Sequence, residues 1–197
     1  MESIILHRGY CVKSPPITTH RWHKRWCTLS IIKIPSVEEF YRKFYKGSKR
    51  KESVDEAFPL VEHSVSLVFS YYENEEQETK EKSINRFIID NSVISDHHDT
   101  NGTHGYQHVI RVHLPPVYNS RVLFLCFDDA SEHLVWLQSF NYYMNLLEGR
   151  CDSIYVMSHV LGEGRVASVI DPTLQEEVQK FVTLERNKEK KEKKEGN

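Results

Sequence analysis

Long apolar runs are missing from this chain. No window approaches the ~18 consecutive apolar residues of a membrane-spanning helix, and residues 1–8 lack the apolar stretch of a secretory leader. The expectation is a cytoplasmic protein that touches membranes only at their surface. Cysteine is scarce: Cys11, Cys27, Cys126 and Cys151 are the four, and no two of them are spaced as C-x-x-C. That excludes a zinc ribbon and a disulfide scaffold. The first three lie in apolar, strand-like runs and read as buried free thiols. An excess of one charge is also lacking. Against 26 Lys and Arg stand 28 Asp and Glu, a formal net charge of -2, where a generic nucleic-acid binder is strongly basic. No nucleic-acid partner is expected.

Signatures of catalysis are absent too. There is no nucleophile elbow, no Gly-rich phosphate loop and no H-E-x-x-H helix. Gly162-Glu163-Gly164 has no strand-loop-helix context. Asp96-His97-His98-Asp99, with His104 and His108, has no regular ligand spacing and falls on a hairpin loop. The expectation is a non-enzyme with neither metal nor cofactor.

What the sequence does contain is period-two patterning. Residues 6–12 and 21–32 read as a hairpin around Ser14-Pro15-Pro16, since proline cannot continue a central ladder. Residues 65–72 alternate Val65, Leu67 and Phe69 with Ser66, Val68 and Ser70. Further strands are predicted over 84–90, 92–98, 106–114 and 121–127, with Asn101-Gly102 as a turn. A charged turn with five glutamates spans 73–82. Between the second and third strands lies an insertion, residues 33–63. It holds a predicted helix over 37–46, opened by a capping box at Ser36 and Glu39. It also holds six Lys and Arg without an acid over 42–51.

The period then changes. Trp136, Phe140, Tyr143 and Leu147 recur at helical spacing, with Asp129 or Ser131 as N-cap and Gly149 as terminator. Residues 150–197 form an extension. Its Leu174, Val178 and Phe181 predict a helix over 172–186, followed by a disordered Lys/Glu tail over 185–197. About seven strands closed by one helix make a mainly β fold, a barrel or sandwich, over residues 1–149.

Two stretches carry a specific resemblance. Gly9-Tyr10-Cys11-Val12-Lys13-Ser14-Pro15-Pro16, running on to Trp22-His23-Lys24-Arg25-Trp26-Cys27-Thr28-Leu29, resembles the opening hairpin of pleckstrin-homology (PH) domains. Trp136 is similar to the tryptophan of their final helix. More narrowly, the Lys-Ser-Pro-Pro and Trp-basic-Lys-Arg-Trp runs resemble the Gab/DOS family of docking adaptors. The resemblance implies a seven-stranded PH-like barrel capped by a helix. It also implies a phosphoinositide or anionic membrane surface as partner, at the inner face of the plasma membrane. The implied role is that of an adaptor working with receptor tyrosine kinase pathway proteins.

The implied head-group site is Lys13 and Arg25, with His23 between them in the pattern and Arg21 extending the patch. Strand alternation agrees: if Cys27, Leu29 and Ile31 face the interior, Arg25 and His23 line its mouth, opposite Lys13. The glutamates of 73–82 are expected beside that mouth, where they would repel phosphate. Tyr155, beyond the barrel, is the candidate for phosphorylation. An alternative from the same architecture is a PH- or PTB-like module that binds a peptide by strand addition beside the final helix.

Overall fold

The computed structural model describes residues 3–14, 21–33, 65–98, 105–118, 121–147 and 172–195. The helix expected over 37–46, the Asn101-Gly102 turn, Gly149 and Tyr155 lie outside them.

The alternating segments become seven antiparallel strands: β1 (Ser3–Lys13), β2 (His23–Lys33), β3 (Val65–Tyr72), β4 (Asn85–Ile88), β5 (Val93–His97), β6 (His108–His113) and β7 (Val122–Phe127). They form one sheet in the order β4-β3-β2-β1-β7-β6-β5. This is the helix-capped, seven-stranded arrangement that the resemblance implied. Strand β1 runs longer than its apolar core suggested, because ladder hydrogen bonds carry the polar residues at its ends, whereas β2 starts two residues later and ends one residue later than expected. Two meanders meet along a short seam, where Val12 and Lys13 pair with Cys126 and Leu125. Ser14 reinforces the seam: its amide donates to the Phe124 carbonyl at 2.9 Å, and its Oγ accepts from the Phe124 amide at 3.0 Å.

The glutamate-rich turn holds a short helix, α1 (Glu75–Thr79). Asn74 caps it, its side chain accepting from the Gln77 amide. The three acids of its first turn favour the positive end of the helix, which explains why so charged a segment is helical. The final helix of the barrel, α2 (Ala130–Leu147), starts at Asp129, whose carboxylate accepts from the Ser131 amide at 3.0 Å. Trp136 sits 1% exposed at its centre, in edge contact with His7 and Phe69 and stacked near Phe127 and Phe140. It plugs one end of the barrel.

The extension contributes α3 (Pro172–Glu195), which continues through the segment expected to be disordered. Val178 and Val182 join the apolar cluster of the barrel itself. Polar contacts fix it. Glu185 lies between Lys33 at the end of β2 and Lys188, each 2.6 Å away, while Arg186 donates to the Leu147 carbonyl. These two cations hold the Glu185 carboxyl below its usual range, Lys188 more than Lys33. The expected stripe is thus shifted, with Val178, Val182 and Glu185 as its buried residues and Leu174 and Phe181 half-buried beside them. Among the described residues, no helix is long and apolar enough to cross a membrane.

Two outcomes follow. A Cβ built on Gly9 would lie 3.4 Å from Trp136 Nε1, an ordinary contact. Gly9→Ala should therefore leave the melting temperature nearly unchanged, whereas Gly9→Val should cost about 1–3 kcal/mol by displacing the indole. Equal melts for the two variants would disprove a tight approach. Because the folded pKa of Glu185 is depressed, its contribution is complete above the ordinary value of 4.5 and is lost as pH falls through the lower folded value. At neutral pH, Glu185→Gln should speed amide exchange in α3 without changing exchange in β2 and β3. Unchanged exchange in α3 would mean that apolar packing alone docks it.

Candidate functional site

At the end of the barrel away from Trp136, the register decides which side chains turn inward. Cys11 pairs with Arg25 and Lys13 with His23 across β1 and β2. Cross-strand partners share a face, and this face continues through Cys27, Leu29 and Ile31, all fully buried. Across β3 and β4, Tyr71 pairs with Asn85 and Phe69 with Phe87. On β7 the inward residues are Leu123, Leu125 and Phe127, and Arg121 precedes them at the same parity.

These positions converge. Lys13 Nζ lies 4.8 Å from the centre of the Tyr71 ring, and the Arg121 guanidinium 5.8 Å from that of Phe87. The two rings are themselves 6.2 Å apart. Cys11 and Cys27, their Sγ atoms 3.1 Å apart, lie beneath. Lys13 is only 5% exposed, and its ammonium donates to the carbonyl of Ser14 at 2.6 Å. Arg25 is half-buried and, among the described residues, donates to the Lys24 carbonyl at 3.4 Å. Among the described residues, no carboxylate pairs with Lys13, Arg25 or Arg121.

Burial together with this crowding of cations sets the titration. The Lys13 ammonium is pushed down to about 8, first by desolvation, then by Arg121, with Arg25 adding to it. Desolvation also raises the thiol of Cys27, and that of Cys126 to about 12, so neither is an activated nucleophile. The described residues of the mouth therefore set cationic groups beside thiols that stay protonated, an arrangement suited to a polyanion.

The register puts Lys13 and Arg25 on the same face of the β1-β2 hairpin, Arg25 opposite Cys11 and Lys13 opposite His23. His23 stands opposite Lys13 but is exposed, and Arg21 lies exposed before β2 starts, with no contact to Lys13 or Arg25 among the described residues. Arg121 was missed. The signal for it was its step of two from Leu123, Leu125 and Phe127. Of the glutamates expected at the mouth, Glu78 is engaged elsewhere. It accepts from Trp26 Nε1 and lies 3.7 Å from Arg8. Trp26 pairs with Tyr72 on the outer face, the opposite side from Arg25. A groove of about 330 Å³ on that outer face is lined by Thr28, Ser30, Ser70, Tyr72, Glu78 and Arg86, among others. It lacks the concentration of cations found at the mouth. The acidic-histidine run is drawn apart, with Asp96 3.2 Å from His133 on α2 and 3.8 Å from His98. Among the described residues, no three metal-ligating side chains come together.

No protein-family model matches the chain, and no characterised protein matches it in sequence. Solved structures do. The chain is similar to the C-terminal PH domain of pleckstrin in complex with D-myo-Ins(1,2,3,4,5)P5, at 11% identity over 71% of this chain and 97% of that one, with a TM-score of 0.41. It is also similar to the C-terminal PH domain of human pleckstrin in solution, at 11% identity over 73% and 81%, TM-score 0.44. A third is the PH domain of human pleckstrin homology domain-containing protein family A member 5, at 14% identity over 83% and 84%, TM-score 0.40.

A buried lysine with no counter-ion among the described residues is a local cost to the fold. Its folded pKa is below the unfolded value, so the unfolded chain binds the proton more strongly between about 8 and 10.5. Lys13→Met should be more stable than the parent at pH 7, by up to about 3 kcal/mol. That advantage should shrink as pH rises through this window. A difference that does not vary with pH in denaturant titrations would mean that Lys13 carries no uncompensated charge.

Proposed function

We propose that this chain is a non-catalytic adaptor whose barrel mouth binds the phosphorylated inositol head group of an anionic membrane. The observation that carries this reading is the inward placement of Lys13, Arg25 and Arg121 with no carboxylate partner among the described residues. Buried cations that lack a counter-ion mark a place where an external anion is favourable. Arginine supplies a planar fork for phosphate and lysine a point charge, a pairing suited to several phosphates on one ring. His23 and Arg21, exposed at the rim, meet the ligand at its edge. Recruitment would take the chain from the cytoplasm to the inner face of the plasma membrane. By its likeness to the Gab/DOS docking adaptors, it would work there in receptor tyrosine kinase signalling, with Tyr155 as a site of phosphorylation.

A specific observation favours a second reading. Among the described residues, strand β5 is an edge of the sheet that pairs only with β6, and its Val93 is 66% exposed. With α2 packed beside it, its outer edge is suited to an extended peptide.

Co-sedimentation with liposomes distinguishes the two. Vesicles containing phosphoinositides should retain the chain better than vesicles of equal charge made with phosphatidylserine. Arg25→Ala and Arg121→Ala should each weaken that preference by about tenfold, the loss of one charged hydrogen bond. Binding no better than to the phosphatidylserine vesicles would overturn the head-group site and leave peptide capture at β5.

A further inference from the structure

We propose that the groove on the outer face of the sheet binds a small zwitterion, an α-amino acid with an aliphatic side chain. This site is separate from the cationic mouth, because its residues lie on the opposite face of β2 from Arg25. The register builds its floor. Arg8, Thr28, Ser70 and Arg86 pair in turn across β1, β2, β3 and β4, so they form one row of side chains. In the next row Ile5 pairs with Ser30, and in the row after that Ser3 pairs with Ile32. Helix α1 closes one end, where Glu78 accepts from Trp26 Nε1 and lies 3.7 Å from Arg8. The groove encloses about 330 Å³, the size of a small-ligand pocket.

The floor is short of partners. Thr28 and Ser70 are 3% and 1% exposed, and both line the groove. Among the described residues, neither hydroxyl has a hydrogen-bond partner. A buried hydroxyl left unpaired is costly, and a polar guest in the groove supplies the missing bonds. The lip carries strain as well. Glu81 lines the groove and stands at φ 54°, in the left-handed region. It follows the C-cap of α1: its amide donates to the Glu78 carbonyl at 2.8 Å, and the Lys82 amide donates to the Gln77 carbonyl at 2.9 Å. That helix ending favours glycine at the position of Glu81. A glutamate is kept there against its backbone preference, and strain of this kind collects at ligand sites.

The charges select the guest. Arg8 and Trp26 already answer the Glu78 carboxylate. The lining then presents the Arg86 guanidinium, half-buried and 3.4 Å from the Tyr72 hydroxyl, and the Glu81 carboxylate, which has no ion pair among the described residues. One group of each sign suits a zwitterion and disfavours a polyanion. The carboxylate of the guest meets Arg86, with the Ser70 and Thr28 hydroxyls in the same row as further donors. Its ammonium meets Glu81. Ile5 lies one row away, about 7 Å along the strand, and Ile32 a row beyond it. An aliphatic side chain lies over these two.

The test is equilibrium dialysis of the full chain against radiolabelled L-leucine, L-valine and L-methionine in turn, followed by competition with unlabelled compounds. At least one of the three should bind saturably. Against labelled leucine, isoamylamine lacks the carboxylate and 4-methylpentanoate lacks the ammonium, so each should compete about tenfold less well than unlabelled leucine, the loss of one charged hydrogen bond. Inositol hexakisphosphate, a probe for the mouth, should not compete. Glu81→Gly separates binding from folding: relief of strain should keep or raise the melting temperature, while binding weakens about tenfold. Ser70→Ala should likewise fold normally and bind about fivefold more weakly. Saturable binding of none of the three amino acids overturns the proposal, as does binding that Glu81→Gly leaves unchanged. Competition by isoamylamine or by glucose as strong as that by leucine overturns it too, since the groove would then take any amine or any polyol.

Discussion

The two meanders of this sheet are held together by a seam of two residue pairs, Val12 with Cys126 and Lys13 with Leu125, extended by the paired hydrogen bonds between Ser14 and Phe124. The candidate site depends on it. A strand committed to ladder bonds on both edges cannot rotate to let an inward side chain out, because a slip of one residue turns the whole strand over. Lys13 is therefore held inside by its own backbone, whatever its ammonium would prefer. The same seam brings the start of β7, and so Arg121, toward the hairpin that carries Arg25. The net charge of the whole chain, -2, gives no hint of this local excess.

Aromatic faces make the excess tolerable. Lys13 over Tyr71 and Arg121 over Phe87 are each partly compensated by a ring quadrupole, an interaction of about 0.5–2 kcal/mol. Burying an ammonium costs several kcal/mol. The rings therefore soften the desolvation without cancelling it, and the lowered pKa of Lys13 is what remains. A carboxylate at Asn85 or Tyr71 would remove the cost and would also neutralise the mouth. The buried Glu185 shows the other solution within the same chain, a charge enclosed between two partners at the far end of β2.

Much of this was legible in the sequence. Alternation located the strands, the switch to helical spacing located α2, and parity within β2 turned Arg25 inward with Cys27. Arg121 was not found because its face is defined by the seam and by Phe87, contacts far away in sequence. Helix α1 was hidden by composition, as five glutamates read as a turn until Asn74 and the helix dipole are counted. The run of α3 past residue 186 was unread because its anchor, Glu185 to Lys33, joins positions separated by most of the chain. Tertiary contacts of that kind leave no local pattern.

Glu185 and its lysines sit at one end of β2 and Arg25 near the other. Eight residues of extended strand separate Lys33 from Arg25, roughly 27 Å at 3.4 Å each. The anchor of α3 is thus one barrel length away from the cationic mouth. If the proposed head-group reading holds, the length of β2 is a spacer that sets the Glu185 anchor of α3 back from the membrane that the mouth would meet.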